Sequence, residues 1–307
     1  METEYGGSIK RRTILREFEH FKRDRDTRTM EQICTQGASG FELQVQQQFL
    51  QEFIKKYDNE TRAMLMYHSL GAGKTLSAII MAEEFIKKNP NFKVTVILPA
   101  RLRSNFTDEL MSPATGYKYL SEIDYNIYID PATPATTKRR LRNKFLTNVE
   151  KVYTIVSFEK MRSLALKADA QGKNLMQWAH EFSHDRFFIV DEIHNLFSTS
   201  YKLPQIKELE EGQLTKNVGR VSAANTVVFK FLVKYGAASS RFIMLTATPI
   251  FDNVGQLLEV VKVLTPNSQI PRKLTIRDTL KLLKGKVSYF PGTSPAVFLE
   301  QVSLKFI

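Results

Sequence analysis

Residues 64–75 read MLMYHSLGAGKT. An apolar run ends at His68, a turn with two glycines follows, and a lysine–threonine pair opens the next stretch. Each residue type has a task if that turn holds phosphate. Gly71 and Gly73 let the backbone from Leu70 through Ala72 curl so that its N–H groups point inward at phosphate oxygens. Lys74 can then reach the β- and γ-phosphates, and the Thr75 hydroxyl can ligate Mg²⁺. A helix starting at Thr75 adds the positive end of its dipole. The strict pattern G-x-x-x-x-G-K-[ST] asks for glycine at position 68, where this chain has His68. What remains is the shorter G-x-G-K-T, set between a strand and a helix.

Working outward, the same strand–turn–helix alternation recurs. Phe49, Leu50, Phe53 and Ile54 are spaced for a helix over about 46–56, and Thr75–Lys88 reads as a second helix, stopped at Asn89–Asn91. Short, continuously apolar runs at 63–67, 93–98, 152–156, 186–190 and 241–245 predict strands covered on both faces. Such strands alternating with helices predict an α/β fold, a mostly parallel sheet with helices on both sides. Two stretches break the rhythm. Residues 111–150, with Pro113, Pro131 and Pro134, read as an inserted or irregular region, and a polar segment near 199–220 reads likewise. Residues 1–40 are polar and charge-mixed and end in a flexible Gly-Ala-Ser-Gly joint at 37–40.

Two more strand ends carry chemistry. At 187–194 the chain reads FFIVDEIH, which sets two carboxylates at the C-terminal lip of a parallel sheet, where open α/β folds bind ligands. Asp191 is placed to hold Mg²⁺, and Glu192 to orient and deprotonate an attacking water. His194 reaches the same edge. At 244–250 the chain reads MLTATPI, so Thr246 and Thr248 offer hydroxyls in a turn stopped by Pro249, where they can sense the γ-phosphate through His194 or Glu192. Gly-Lys-Thr, Asp-Glu-x-His and Thr-Ala-Thr, in that order and each after a strand, make a joint pattern far more specific than any one member.

Composition sets the outer bounds. Over 307 residues, 43% hydrophobic and 25% charged content exclude wholesale disorder and a fibrous protein. No apolar run approaches the roughly 18 residues needed to cross a bilayer, and the first residues, METEYGGSIKRRT, lack a signal-peptide core. One cysteine, Cys34, excludes an intrachain disulfide framework or a multi-cysteine zinc site. The expectation is a soluble protein of a reducing compartment, neither secreted nor bound to a membrane. The net charge of +12 makes polyanions plausible partners, although the same surplus could serve solubility alone. The basic run KRRLRNK at 138–144 could add an electrostatic track, but reads better as one exposed helix face.

The three motifs resemble those of the first RecA-like domain of superfamily 2 helicases and translocases, with DEIH at the position of the DExH box and TATP at that of the third motif. The resemblance implies a P-loop NTPase that uses ATP and Mg²⁺. FELQVQQQFLQEFI at 41–54 resembles the adenine-reading glutamine motif, with Gln47 the best match and Gln46 and Gln48 close rivals. VILPARLRSNF at 96–106 matches a motif that contacts the sugar-phosphate backbone, which nominates Arg101 and Arg103; VSFEKM at 156–161 would be its neighbour, with Ser157 and Lys160 as weaker candidates. MYHSLGAGKT, LTATPIFDN and LLKGKVSYFPG are similar to the DExH ATPases of nucleocytoplasmic large DNA viruses. That implies a role in viral transcription, DNA favoured over RNA, a viral RNA polymerase or transcription-factor subunit as partner, and residence in the virion or host cytoplasm.

A superfamily 2 motor closes two RecA-like domains on ATP, and the second supplies an arginine finger. Residues 41–265 are expected to form the first domain and 266–307 a linker toward a second one absent from this chain. An arginine finger is worth about 10³–10⁵ in turnover. The chain by itself is therefore expected to bind nucleotide and hardly hydrolyse it. The rival reading is a subunit that uses the nucleotide pocket as a binding switch in promoter or polymerase recognition. An intact Glu192 argues against that, since a pure switch does not need a catalytic carboxylate.

Overall fold

The computed structural model describes residues 17–21, 43–111, 113–197, 221–247, 254–266, 268, 270 and 275–290. Six parallel strands form one sheet: β1 (Ala63–His68), β2 (Lys93–Leu98), β3 (Tyr153–Ser157), β4 (Arg186–Val190), β5 (Arg241–Thr246) and β6 (Val287–Phe290). Their spatial order is β3-β2-β4-β5-β1-β6, so all the C-terminal ends share one edge. The helices are α1 (Val45–Tyr57), α2 (Lys74–Lys88), α3 (Arg103–Met111), α4 (Glu122–Ile129), α5 (Ala135–Glu150), α6 (Phe158–Ala170), α7 (Leu175–Ser183), α8 (Val221–Tyr235), α9 (Val254–Leu264) and α10 (Ile276–Leu283). This is the expected α/β architecture, a parallel sheet with helices on both faces.

The inner strands are mainly apolar because both faces are covered. In β4, Phe187 and Ile189 join one core with Leu50 and Phe53 of α1, Ile79 of α2, Phe106 of α3 and Phe145 of α5. Phe188 and Val190 point the other way, into a core with Met161 of α6, Trp178 of α7, Phe231 of α8 and Val260 of α9. The period-two alternation of Cβ directions thus divides a run without polar positions between two hydrophobic layers. All four residues are fully buried. Truncating a core phenylalanine such as these to alanine costs about 3–5 kcal/mol.

The region expected to be irregular, 111–150, holds two helices. Its prolines lie outside both: Pro113 in a single 3-10 turn ahead of α4, Pro131 in the turn after α4, and Pro134 at the N-cap of α5. Leu141, Phe145 and Val149 bury one face of α5. The basic run sits on its outer side, with Arg142 paired to Asp108 at 3.1 Å and Lys144 to Asp124 at 2.7 Å. That agrees with an exposed helix face, and such pairs add little stability. The segment is pinned to the sheet through Glu83 of α2. Its carboxylate accepts hydrogen bonds from the Tyr119 and Tyr153 hydroxyls at 2.6 and 2.7 Å and from Lys118 Nζ at 2.6 Å. Burial beside that carboxylate pushes both phenols well above the usual tyrosine range. Part of the 266–307 stretch, read as a linker, contributes β6, which pairs with β1 as the edge strand of this sheet.

Of the segments singled out by sequence, most of 1–40 and of 199–220 lies outside the described residues, as does Thr248. Among the described residues no helix is long and apolar enough to cross a membrane.

Candidate nucleotide site

β1 ends at His68 and the chain turns through Ser69–Gly73 into α2. Gly71 and Gly73 have φ of +74° and +69°, a region that side chains rarely tolerate, which is why glycine stands at both. Ala72 N donates to Ser69 O at 3.2 Å and closes the turn. Ala72 is buried, Gly71 and Leu70 are exposed, and Lys74 and Thr75 are half-buried on the first turn of the helix. Lys74 Nζ donates to Ser69 O at 3.3 Å, so the ammonium is folded back over the turn it would share with a phosphate.

α1 packs beside this turn and brings the glutamines with it. A Cβ added to Gly73 would stand 2.8 Å from Gln47 Nε2, so the Gln47 amide lies directly against the loop. Gln47 Oε1 accepts from Gln44 N at 2.9 Å, which holds the side chain over the start of α1. Gln46 reaches Ala72 O with Nε2 at 3.5 Å, and its Oε1 is buried without a hydrogen-bond partner. Gln48 points away, donating to Leu43 O at 2.8 Å. Sequence left three glutamines open; helix phase brings Gln46 and Gln47 to the turn and excludes Gln48.

The acidic pair follows β4. Asp191 is 7% exposed, and its N–H continues the sheet to Ile97 O at 2.9 Å. Its Oδ1 accepts from Glu192 N at 2.9 Å. Burial pushes the Asp191 carboxyl up to about 6, with the Glu192 charge adding to the rise. The Glu192 N–H and the Lys74 ammonium pull it back. The influence of Lys74 on Asp191 is what a shared strand edge requires. Glu192 has φ of +52°, costly for a residue with a side chain and of the order of 1 kcal/mol. This conformation turns the chain out of the strand into a 3-10 turn, Ile193–Leu196. His194 Nδ1 then lies 3.1 Å from Thr246 Oγ1 at the end of β5 and 3.2 Å from Glu192 Oε2. The imidazole bridges the second and third motifs.

β4, β5 and β1 are neighbours in the sheet, so the Asp-Glu pair, Thr246 and the glycine turn stand side by side on one edge. Continuing past β4, the same edge carries Arg101 and Arg103 after β2 and Ser157 at the end of β3. Both arginines are exposed. The Ser157 hydroxyl accepts from Lys160 N at 3.1 Å and caps α6, a structural task that the sequence reading did not foresee.

His68, in sequence only a departure from a pattern, is 1% exposed. Its Nε2 lies 3.0 Å from Ser288 Oγ, and its ring packs against Phe290 with centroids 5.8 Å apart, both partners on β6. Burial, with the Lys74 charge, holds its pKa down at about 4, so the ring is neutral. No spacing in the sequence could have linked two positions so far apart in the chain.

The donor set suits a magnesium–nucleoside triphosphate: a backbone turn with one lysine, a hydroxyl and a buried carboxylate for a hard cation, and a buried amide oxygen without a partner beside the turn. The chain is similar to several known proteins. Residues 42–251 match the family described as type III restriction enzyme, res subunit. A protein of Acanthamoeba polyphaga mimivirus, provisionally named an ATP-dependent RNA helicase, is 27% identical over 88% of this chain and 44% of its own length. A second mimivirus protein with the same kind of provisional name is 27% identical over 98% of this chain and 26% of itself. A provisionally named helicase of Invertebrate iridescent virus 3 is 25% identical over 81% and 23%. The chain thus spans less than half the length of these curated relatives. Among solved structures, a DEAD-box helicase bound to ssRNA and UDP-BeF aligns with a TM-score of 0.37 and 12% identity, covering 88% of this chain and 46% of that one. The fold assignment rests on the strand order, not on that likeness.

Proposed function

The chain belongs to the family of the type III restriction enzyme res subunit, and from that premise we propose that it is the ATP-binding half of a nucleic-acid-dependent ATPase of DExH helicase or translocase type. The observation that carries this is the shared edge on which the glycine turn, Thr246, and the Asp191–Glu192–His194 group lie side by side.

In this reading the Lys74 ammonium leaves Ser69 O for the β- and γ-phosphates, while the N–H groups from Leu70 through Thr75 cradle their oxygens. Gln47 and Gln46 lie where an adenine edge would be read. Thr75 and Asp191 would hold Mg²⁺, which supplies charge neutralisation at the phosphates. Glu192 takes the proton of the attacking water; its Oε2 is buried, with His194 Nδ1 beside it at 3.2 Å. His194 passes the state of that carboxylate to Thr246. Arg101, Arg103 and Ser157 line the stretch of edge assigned to a sugar-phosphate backbone.

The resemblance assigns the arginine that completes the site to a second RecA-like domain. The viral sources of the relatives support a role in viral nucleic-acid metabolism, transcription foremost, in the virion or host cytoplasm, beside a polymerase or transcription-factor subunit. DNA is the polymer favoured by the resemblance, and two relatives carry RNA helicase names, so both polymers belong in the assay.

The test is titration of the 307-residue chain with a fluorescent ATP analogue and Mg²⁺, followed by steady-state hydrolysis with and without DNA or RNA. Lys74→Ala is expected to weaken binding at least about tenfold, a loss near 1.4 kcal/mol. Unchanged affinity in that variant would refute the assignment.

A further inference from the structure

The strict phosphate-loop pattern begins with a glycine at position 68, whereas here that position carries an imidazole buried against another strand. Ser69, the next residue, is held at both ends of its peptide units. Its N–H donates to Phe290 O at 3.0 Å, and its carbonyl accepts from Lys74 Nζ at 3.3 Å. One residue back, His68 Nε2 meets Ser288 Oγ at 3.0 Å, and the His68 ring leans on Phe290. The pairing is continuous from Leu65↔Val287 to His68↔Phe290, with Tyr67 and Tyr289 in ring contact at 5.1 Å. A chain of direct contacts therefore runs from β6 through Ser69 to the phosphate-binding lysine.

We propose that β6 is a working part of the nucleotide site, with His68 and Ser288 as positioning residues that fix where the phosphate turn leaves β1 and so where Lys74 stands. The proposal rests on the nucleotide reading above and adds to it a regulating element: displacement of 287–290 moves Ser69, and with Ser69 the lysine's resting partner. Packing alone would anchor an edge strand equally well through apolar side chains. Here the contact nearest the turn is instead a directional bond between a neutral ring and a hydroxyl, and directional bonds fix position. The ring stays neutral well below pH 7, so the bond does not alternate with protonation in the working range.

The experiment uses the full chain with Ser288→Ala, Ser288→Thr and wild type, read three ways. Amide hydrogen exchange over residues 69–75 without nucleotide reports the turn itself, a fluorescent ATP analogue with Mg²⁺ reports affinity, and urea unfolding reports global stability. Ser288→Ala is expected to speed exchange in the turn and weaken affinity by about 3- to 10-fold, the effect of one part-buried hydrogen bond. Ser288→Thr, which keeps the hydroxyl, is expected to restore both. Affinity and exchange in Ser288→Ala equal to wild type would overturn the proposal while leaving the nucleotide reading intact. So would a loss that Ser288→Thr does not rescue and that merely follows the urea midpoint. A wild-type chain that binds no nucleotide would sink the nucleotide reading and this proposal with it.

Discussion

Asp191 pays for its function in stability, and the cost can be measured. Its carboxyl is 7% exposed and its pKa is raised from 3.8 to about 6, chiefly by burial. A rise of about 2 units corresponds to roughly 3 kcal/mol by which the ionised form is worse off in the folded chain than in the unfolded one. The sign follows from proton counting. Between pH 4 and 6 the folded state holds more protons than the unfolded state, so stability falls as pH rises through that window and stays reduced above it. Asp191→Asn removes the charge and keeps an oxygen for the Glu192 N–H. In metal-free buffer the variant is expected to be more stable than wild type by about 3 kcal/mol at pH 8. About half that gap should remain at pH 5, and little at pH 4, where the folded carboxyl is protonated and the unfolded one is close to its own pKa. The same substitution should abolish Mg²⁺-dependent nucleotide binding. Urea unfolding at the three pH values, with a chelator present, measures the gap. A variant no more stable than wild type at pH 8, or a gap independent of pH, would refute the reasoning.

Two other substitutions separate the turn from its support. Gly73→Ala places a side chain at φ of +69° and a Cβ 2.8 Å from Gln47 Nε2; we expect a loss of about 1–2 kcal/mol in urea unfolding together with weakened nucleotide binding. Adding Gln47→Ala should recover only the collision, so full recovery in the double variant would discount the backbone argument. Glu83→Ala leaves two buried phenols and Lys118 without their acceptor and should cost about 2–4 kcal/mol, while nucleotide affinity stays within about twofold of wild type. A loss under about 1 kcal/mol would mean that the 113–150 segment is held mainly by its apolar contacts.

Local chemistry was enough to determine a good deal. Five strands were legible because a strand covered on both faces is apolar over nearly its whole length, as in the FFIV of 187–190 and the VTVIL of 94–98. The glycine turn was legible because positive φ demands glycine, and the Asp-Glu pair because carboxylates at the end of an apolar strand have to emerge at its lip. The parallel arrangement followed from the alternation with helices, and with it the expectation that the three motifs share an edge.

What tertiary structure decided was everything that depends on partners distant in the chain. Sequence ranked Gln47 first with Gln46 and Gln48 close behind, and only the packing of α1 against the glycine turn brings Gln46 and Gln47 to it. The prolines of 111–150 suggested irregular chain because proline marks the ends of helices as readily as their absence, and burial of Leu141, Phe145 and Val149 settles which. His68 looked like a defect in a pattern. It is a buried, neutral ring bonded to Ser288, in a strand that the reading had assigned to a linker. Sequence spacing fixes what neighbours in the chain can do together, but a hydrogen bond between positions 68 and 288 exists only once the sheet has set two parallel strands side by side.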